Sequence, residues 1–312
     1  MLPISRPRAL FFGTPEFAIP SLDALCALAS IECVGVITQP DKPVGRSHVP
    51  SPTPVAVRAA ELSLSVFKPD TRRELSDCIA EIRPDVCVVV AYGRIIPPIS
   101  LSIPQYGLVN LHPSLLPRWR GPSPIAAAIA AGDNEAGVSV MLIDSEIDHG
   151  PLLAQERITL TGSETKTELE STLAQLGAPL LVSTLAEFLA GKLDPIPQDD
   201  ASATTCPLLS RESGQVDWSE PASSIERKVR AYEGWPGTWA TLPDGRRLKV
   251  LEARVGTTTV YAPGHIIADG TLAVACGDRT TIELLRVQPE GKQPMSGIDF
   301  LRGQPPLESF GT

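Results

Sequence analysis

The stretch Asp85-Val-Cys-Val-Val-Val-Ala91 is apolar at every position from 86 to 91. A strand with one wet face alternates apolar and polar residues, whereas an unbroken run reads as a strand buried on both faces. Such strands belong to parallel sheets with helices on either side, so this run constrains the fold more than any other segment. The flanking sequence supplies what such a sheet needs. Ala9-Leu-Phe-Phe-Gly13 reads as a second buried strand, and residues 31–38 as a third, rich in β-branched side chains. Residues 15–29 place Phe17, Ile19, Leu22, Leu25 and Leu28 at near-helical spacing. Helices are predicted over 54–64 and 71–82, around a short strand at 65–68. Residues 107–112 and 137–144 read as further strands, with a helix over 123–131 between them and a long amphipathic helix over 165–190. Strand–helix alternation of this kind predicts an α/β fold built on an open, doubly wound, mostly parallel sheet.

The pattern changes after residue 190. Pro195, Pro197, Pro207 and a Ser/Thr/Asp cluster give residues 191–207 the chemistry of a linker. Beyond it, a helix near 221–232 precedes short strands near 238–242, 247–254, 265–267, 272–276 and 281–288, which predict a small β-barrel. A length of 312 residues suits this two-domain division, 1–190 and 208–312. With 43% hydrophobic and 20% charged residues, the chain is neither disordered, collagenous nor a coiled coil. No unbroken apolar run approaches 18 residues, and Met1-Leu-Pro-Ile-Ser-Arg6 lacks signal-peptide anatomy, so a cytoplasmic location without membrane contact is expected. Cys26, Cys33, Cys78, Cys87, Cys206 and Cys276 contain no CxxC pair, and are expected as reduced thiols rather than disulfides or zinc ligands.

Chemistry concentrates in two places. Asn110 and His112 lie two apart on a strand, so both project from one face, at the end where doubly wound sheets bind ligands. An amide donor beside an imidazole suits a reaction that develops an oxyanion, and histidine moves protons near neutral pH. Asp144-Ser-Glu-Ile-Asp148-His149-Gly150 follows the 137–144 strand, itself read as parallel. A carboxylate from there, set beside an imidazole, favours the charged ring. Each feature alone also fits a structural role, as a strand-end histidine or an Asp-Gly turn. The first loop, Gly13-Thr-Pro-Glu-Phe-Ala18, has only one glycine of the GxGxxG fingerprint, which argues against a dinucleotide-dependent oxidoreductase.

The net charge is -9, and it is unevenly spread. Residues 1–206 hold 15 basic and 23 acidic side chains, while residues 207–312 hold 12 and 13. Non-specific coating of a polyanion is thereby excluded, and any nucleic-acid contact is confined to local clusters such as Arg227-Lys228-Val-Arg230 and Arg246-Arg247-Leu-Lys249.

The chain resembles the methionyl-tRNA formyltransferase family of the folate-dependent formyltransferase superfamily. The resemblance runs along almost the whole length. It rests on Phe12-Gly-Thr-Pro-Glu-Phe-Ala18, Thr38-Gln-Pro-Asp-Lys-Pro-Val-Gly-Arg46, Val89-Val-Ala-Tyr-Gly-Arg94, Asn110-Leu-His112, Ser114-Leu-Leu-Pro-Arg-Trp-Arg-Gly121 and Ile147-Asp-His-Gly150. In the second half it rests on Val216-Asp-Trp-Ser219, Arg230-Ala-Tyr-Glu-Gly-Trp-Pro-Gly237 and Gly291-Lys292. The resemblance implies a Rossmann-like catalytic domain, an OB-like barrel that helps hold tRNA, and transfer of a formyl group from 10-formyltetrahydrofolate to the α-amine of initiator methionyl-tRNA, without a metal, by a monomer. It implies Asn110, His112 and Asp148 as the catalytic trio. Folate is implied near Val90, Ala91, Tyr92, Gly93, Ser114, Leu115, Leu116 and Pro117. Contact with tRNA is implied at Lys42, Arg46, Arg227, Lys228, Arg230, Arg246, Arg247 and Lys249.

Two departures stand out. The family's loop after Gly45-Arg46 typically carries lysines, but here it reads Ser47-His-Val-Pro-Ser-Pro-Thr-Pro-Val-Ala56. Pro113 stands where many tRNA enzymes have glycine. A sugar-nucleotide N-formyltransferase would share the trio but lacks, as a class, the Asp-Trp-Ser and Gly-Trp-Pro signatures. A non-enzymatic OB-type nucleic-acid binder would leave the trio without a role.

Overall fold

The computed structural model describes residues 6–43 and 49–311. Contacts divide the chain into two units. The first comprises Met1–Pro124, Glu135–Ile158 and Glu170–Cys206, and the second Ile125–Asn134, Thr159–Leu169 and Pro207–Thr312.

The elements of the first half follow in order as β1 (Arg8–Gly13), α1 (Ile19–Ala27), β2 (Glu32–Ile37), β3 (Lys42–Pro43), β4 (Pro50–Ser51), α2 (Pro54–Glu61), β5 (Val66–Phe67), α3 (Arg72–Ile82), β6 (Val86–Val90), α4 (Pro98–Leu101), β7 (Leu108–His112), α5 (Pro124–Ala131), β8 (Glu135–Leu142), β9 (Leu152–Thr159) and α6 (Lys166–Leu189). Helix starts follow local chemistry. Thr53 caps α2 by accepting from the Ala56 N–H, with Pro54 at the first helical position. Thr71 caps α3 at Glu74 N, and Glu74 reaches back to Asp70 N, a reciprocal capping pair.

The main sheet has the order β5-β2-β1-β6-β7-β8-β9. Strands β5 through β7 are mutually parallel. All five residues of β6 are buried, as its unbroken apolar run requires. The chain reverses winding direction between β1 and β6, which opens a crevice at the carboxyl ends of these strands. Three loops converge there. The Tyr92 carbonyl accepts hydrogen bonds from Thr14 Oγ1 at 2.8 Å and Gln39 Nε2 at 2.9 Å, tying the turns after β1, β2 and β6 together.

One strand corrects the sequence reading. β8 runs antiparallel to β7, pairing Asn110 with Met141 and His112 with Ser139. The segment after β8 therefore starts beside Leu108, whose carbonyl accepts from Ile143 N, at the opposite end of β7 from His112. Residues 144–150 must run back along β7 before they can contribute to any site there. β9 escaped prediction because a polar Gln-Glu-Arg stretch interrupts it. Gln155, Glu156 and Arg157 lie exposed at the sheet's edge, where the two-residue alternation is lost.

Helix α6 is long and apolar enough by length and composition to cross a membrane, with a window of mean hydropathy 1.3. It reaches that value with Ser171, Thr172, Gln175, Ser183 and Thr184 spread along it, so no unbroken run reveals it. Leu173, Ala174, Ala178, Leu181 and Leu185 on it are buried within the protein. A Cβ on Gly177 would come within 2.6 Å of Leu111 Cδ2. Glycine at this point lets α6 lie directly on Leu111, and alternation along β7 then turns Asn110 and His112 to the opposite face.

In the second unit, α7 (Ala222–Ala231) precedes β10 (Thr238–Thr241), β11 (Arg247–Thr258), β12 (Ile266–Ile267), β13 (Ala273–Ala275), β14 (Thr280–Pro289), β15 (Met295–Ser296) and α8 (Gly297–Arg302). The antiparallel sheet has the order β10-β11-β14-β13-β12, with β15 on β14. Its two edges do not stay open. Gly311 pairs with Thr241 and Ser309 with His265, so the last residues bridge β10 to the β12 edge and curl the sheet into a barrel. Phe310, between those two pairings, stacks on Trp218 at 5.0 Å and enters a core with Leu248, Val250, Ile282 and Leu284. Replacing Phe310 with Ala should therefore cost about 3 kcal/mol of unfolding free energy, read from urea denaturation of the intact chain. A loss below about 0.5 kcal/mol would show that the closing segment is not part of the folding unit.

Candidate active site

Asn110 and His112 project from one face of β7, and Val89 and Val90 of the neighbouring β6 pair with Asn110 and Leu111. Folate-candidate residues 90–93 thus leave the sheet beside Asn110. Ala91 (φ 48°) and Gly93 (φ 74°) are both left-handed and exposed, while the Tyr92 ring turns inward against Phe12. Two left-handed residues in three make a sharp turn out of the sheet at the crevice. Among the described residues, the half-buried Asn110 side chain makes no hydrogen bond to protein, so its amide donors are open.

The Ser114–Pro117 stretch is pinned by the buried Ser139 and by the amide of Gln155. Ser139 Oγ donates to the Ser114 carbonyl at 2.6 Å and accepts from Leu116 N at 3.0 Å. Gln155 Nε2 donates to Leu116 O and Ser139 Oγ, each at 2.8 Å. The buried Ser139 hydroxyl, satisfied on every side in this way, fixes the loop in one conformation. Gln155 belongs to the edge strand that sequence reasoning missed, and no sequence signal marked it.

His112 is only 5% exposed. Its Nε2 lies 3.0 Å from the Trp119 carbonyl. A carbonyl only accepts, so this nitrogen carries a proton. Nδ1 lies 3.6 Å from Asp148 Oδ2, an ion-pair separation rather than a hydrogen bond. The structure thus joins all three trio residues in one unit, although Asp148 arrives by the long return loop. Asp148 itself is left-handed, at φ 51°. That geometry costs a non-glycine residue about 1 kcal/mol and persists only when surroundings impose it. Its Oδ2 accepts from Gly121 N at 2.8 Å.

His149 has partners of its own. Its Nδ1 contacts Asp144 Oδ2 at 2.6 Å, and Nε2 lies 3.5 Å from Asp200 Oδ2. The hydrogen bond to Asp144 raises its pKa above the ordinary histidine value, reinforced by the charges of Asp144, Glu146 and Asp200. An NMR titration should place the His149 midpoint above about 6.5, and Asp144→Asn should move it back toward that value. An unchanged midpoint in the variant would remove Asp144 as the cause.

Residues 191–206 differ from a free linker. Ile196 pairs with Leu152, Thr205 with Arg120, and Thr204 Oγ1 accepts from Trp119 N at 2.9 Å. Their polar composition is spent on hydrogen bonds to this unit rather than on solvent, a distinction composition does not record.

The basic candidates divide. Arg46 lies outside the described residues. Lys42 is exposed and donates to Gln39 Oε1 at 3.1 Å. Arg230 is held by Glu226 and the Glu164 carbonyl, Lys228 by Glu220, and Arg227 by the Ala130 carbonyl and Ser224. Arg246 pairs with Asp244. Arg247 and Lys249 share the exposed face of β11, with Arg247 over the Trp239 ring at 4.0 Å. Among the described residues no group of three or more His, Cys, Asp or Glu is arranged to hold a metal ion.

Residues 8–185 match the formyl transferase family model, and residues 208–305 match the formyl transferase C-terminal domain model. A methionyl-tRNA formyltransferase of Myxococcus xanthus is 43% identical over 306 residues, covering 96% of each chain. Another, of Roseiflexus castenholzii, is 45% identical over 306 residues, covering 95% of this chain and 96% of its own. The chain belongs to the methionyl-tRNA formyltransferase family. This formyltransferase also shares its fold with the N-formyltransferase from Helicobacter canadensis, solved in complex with folinic acid and dTDP-3-aminofucose. That chain gives a TM-score of 0.65 at 16% identity, with 91% of this chain and all of that one covered. As a member of its family, the formyltransferase is a group-transferring enzyme with an α/β Rossmann-like half and an antiparallel, curled C-terminal sheet.

Proposed function

We propose that this formyltransferase moves the formyl group of 10-formyltetrahydrofolate onto the α-amine of initiator methionyl-tRNA. The observation that carries the reading is the meeting of an open Asn110 amide with the His112–Asp148 pair beside the left-handed 91–93 turn, in a chain more than 40% identical to the two tRNA formyltransferases above. The crevice would take the folate. Residues 90–93 would face its pterin, and the loop 114–117 would bound the formyl group.

The amine lone pair attacks the formyl carbon, a C–N bond forms, and the carbonyl π pair moves onto oxygen. Asn110 donates to that oxygen, and His112 gives its Nε2 proton as the second donor when the formyl oxygen replaces the Trp119 carbonyl. Asp148, 3.6 Å from Nδ1, keeps the ring oriented during this step. Collapse breaks the bond between the formyl carbon and folate nitrogen. The attacking nitrogen loses one proton and the leaving nitrogen gains one, and the His112–Asp148 pair is the relay through water. Holding both substrates in register supplies much of the remaining acceleration.

Contact with tRNA is assigned first to the exposed Arg247, Lys249 and Lys42, whose partner Gln39 is neutral, because Arg227, Lys228 and Arg230 are half-buried and held by carboxylates or carbonyls. A protein monomer without a metal completes the proposal. The test incubates the purified chain and 10-formyltetrahydrofolate with initiator methionyl-tRNA or with a dTDP-amino sugar. Formyl-methionyl-tRNA is the expected product, and formylation of the sugar alone would overturn the reading. The slope of affinity against salt should fall by about one on Lys249→Ala and stay unchanged on Arg230→Ala.

A further inference from the structure

One side chain ties the two halves of the site together from the segment 191–206. Gln198 Nε2 donates to two carbonyls, Asp148 O at 2.9 Å and Gly150 O at 2.8 Å. These carbonyls flank His149 in the return loop. Gln198 Oε1 accepts from Arg120 Nε at 3.1 Å and Arg120 Nη2 at 2.9 Å. Arg120 sits between Trp119, whose carbonyl holds His112 Nε2, and Gly121, whose N–H holds the Asp148 carboxylate. Its guanidinium is largely buried and is kept in place by Asp200 at 2.8 Å. Every hydrogen-bonding atom of the Gln198 amide group is therefore used, the nitrogen on one catalytic loop and the oxygen on the other.

This arrangement explains an otherwise costly conformation. Asp148 is left-handed without being glycine, and it lies in the loop that follows a strand antiparallel to β7. Its own side-chain bond to Gly121 fixes the carboxylate but not the peptide behind it. Two donors from one amide, on carbonyls two residues apart, fix that peptide. We propose that Gln198 is a positioning residue that holds Asp148 in register with His112, and that the segment 196–206 is a strap of the catalytic unit. The proposal rests on the formyl-transfer reading above.

The test is a double-mutant cycle on the full chain, with formyl transfer assayed under saturating substrates. Gln198→Ala should lower kcat about tenfold in the native background while KM for folate and for tRNA each stay within twofold. In the Asp148→Asn background the same substitution should change kcat by less than twofold, because its target is already disabled. Gln198→Glu keeps a partner for Arg120 but has no donor, and should lose as much kcat as Gln198→Ala with a melting temperature close to native. Overturning results are a Gln198→Ala kcat within twofold of native, an undiminished tenfold loss in the Asp148→Asn background, or native kcat in Gln198→Glu. A native chain inactive on tRNA would instead overturn the substrate reading.

Discussion

Asn110→Ala should reduce kcat by two to three orders of magnitude with the fold intact. A single oxyanion donor contributes about 3–4 kcal/mol to the transition state, which corresponds to a factor of about 10²–10³. The structure makes this a clean substitution. The side chain is half-buried and makes no protein hydrogen bond among the described residues, so its removal leaves no buried group unsatisfied. Its strand is held by β6 and β8 on either side and by α6 behind Leu111. The melting temperature should stay within about 2 °C of native, and KM should change little if the donor acts mainly on the developing charge. Turnover within tenfold of native would remove Asn110 from the reaction.

Asp148→Asn should cost a similar amount for a different reason. The amide oxygen can still accept from Gly121 N, so the loop geometry is retained, but the charge facing His112 Nδ1 is lost. Groups that move protons typically contribute about 10²–10⁴ to the rate, and the expected loss in kcat is at least 10². His112→Ala should cost as much, and the double variant little more than either single one, since the pair acts as a unit. Multiplication of the two losses would mean that the residues act independently. The Nε2 bond to Trp119 adds a further expectation. Because the ring must release that carbonyl to meet the formyl oxygen, His112→Gln should not restore turnover, although it can fill the same space.

The sequence reading succeeded where the physics is local. Residues 86–90 of the unbroken run form a strand with every residue buried, while Ala91 leaves the sheet exposed, and the single glycine of the first loop argues against a dinucleotide enzyme, in keeping with the formyl transferase match. The helices expected over 54–64 and 71–82 form at Pro54–Glu61 and Arg72–Ile82, because helical periodicity depends only on neighbours along the chain. The failures share a cause as well. Strand direction is not written in a run of Val and Met, so β8 was read as parallel. The edge strand β9 lacks the buried face that periodicity detects. The stretch 191–206 carries Pro and Ser as a linker would, yet its hydrogen bonds go to the catalytic unit.

By itself the sequence determined the α/β class and the family. Periodicity, turn chemistry and motif identity depend on neighbours along the chain, and these are written in order. Only the tertiary structure decided that the return loop of an antiparallel strand delivers Asp148 to His112, and that Gln198 bridges the two loops. It also decided that Arg227, Lys228 and Arg230 are engaged at home, and that residues 309–311 close the barrel. Each of these depends on groups tens of residues apart becoming neighbours, and burial and hydrogen-bond satisfaction over the whole fold select those neighbours.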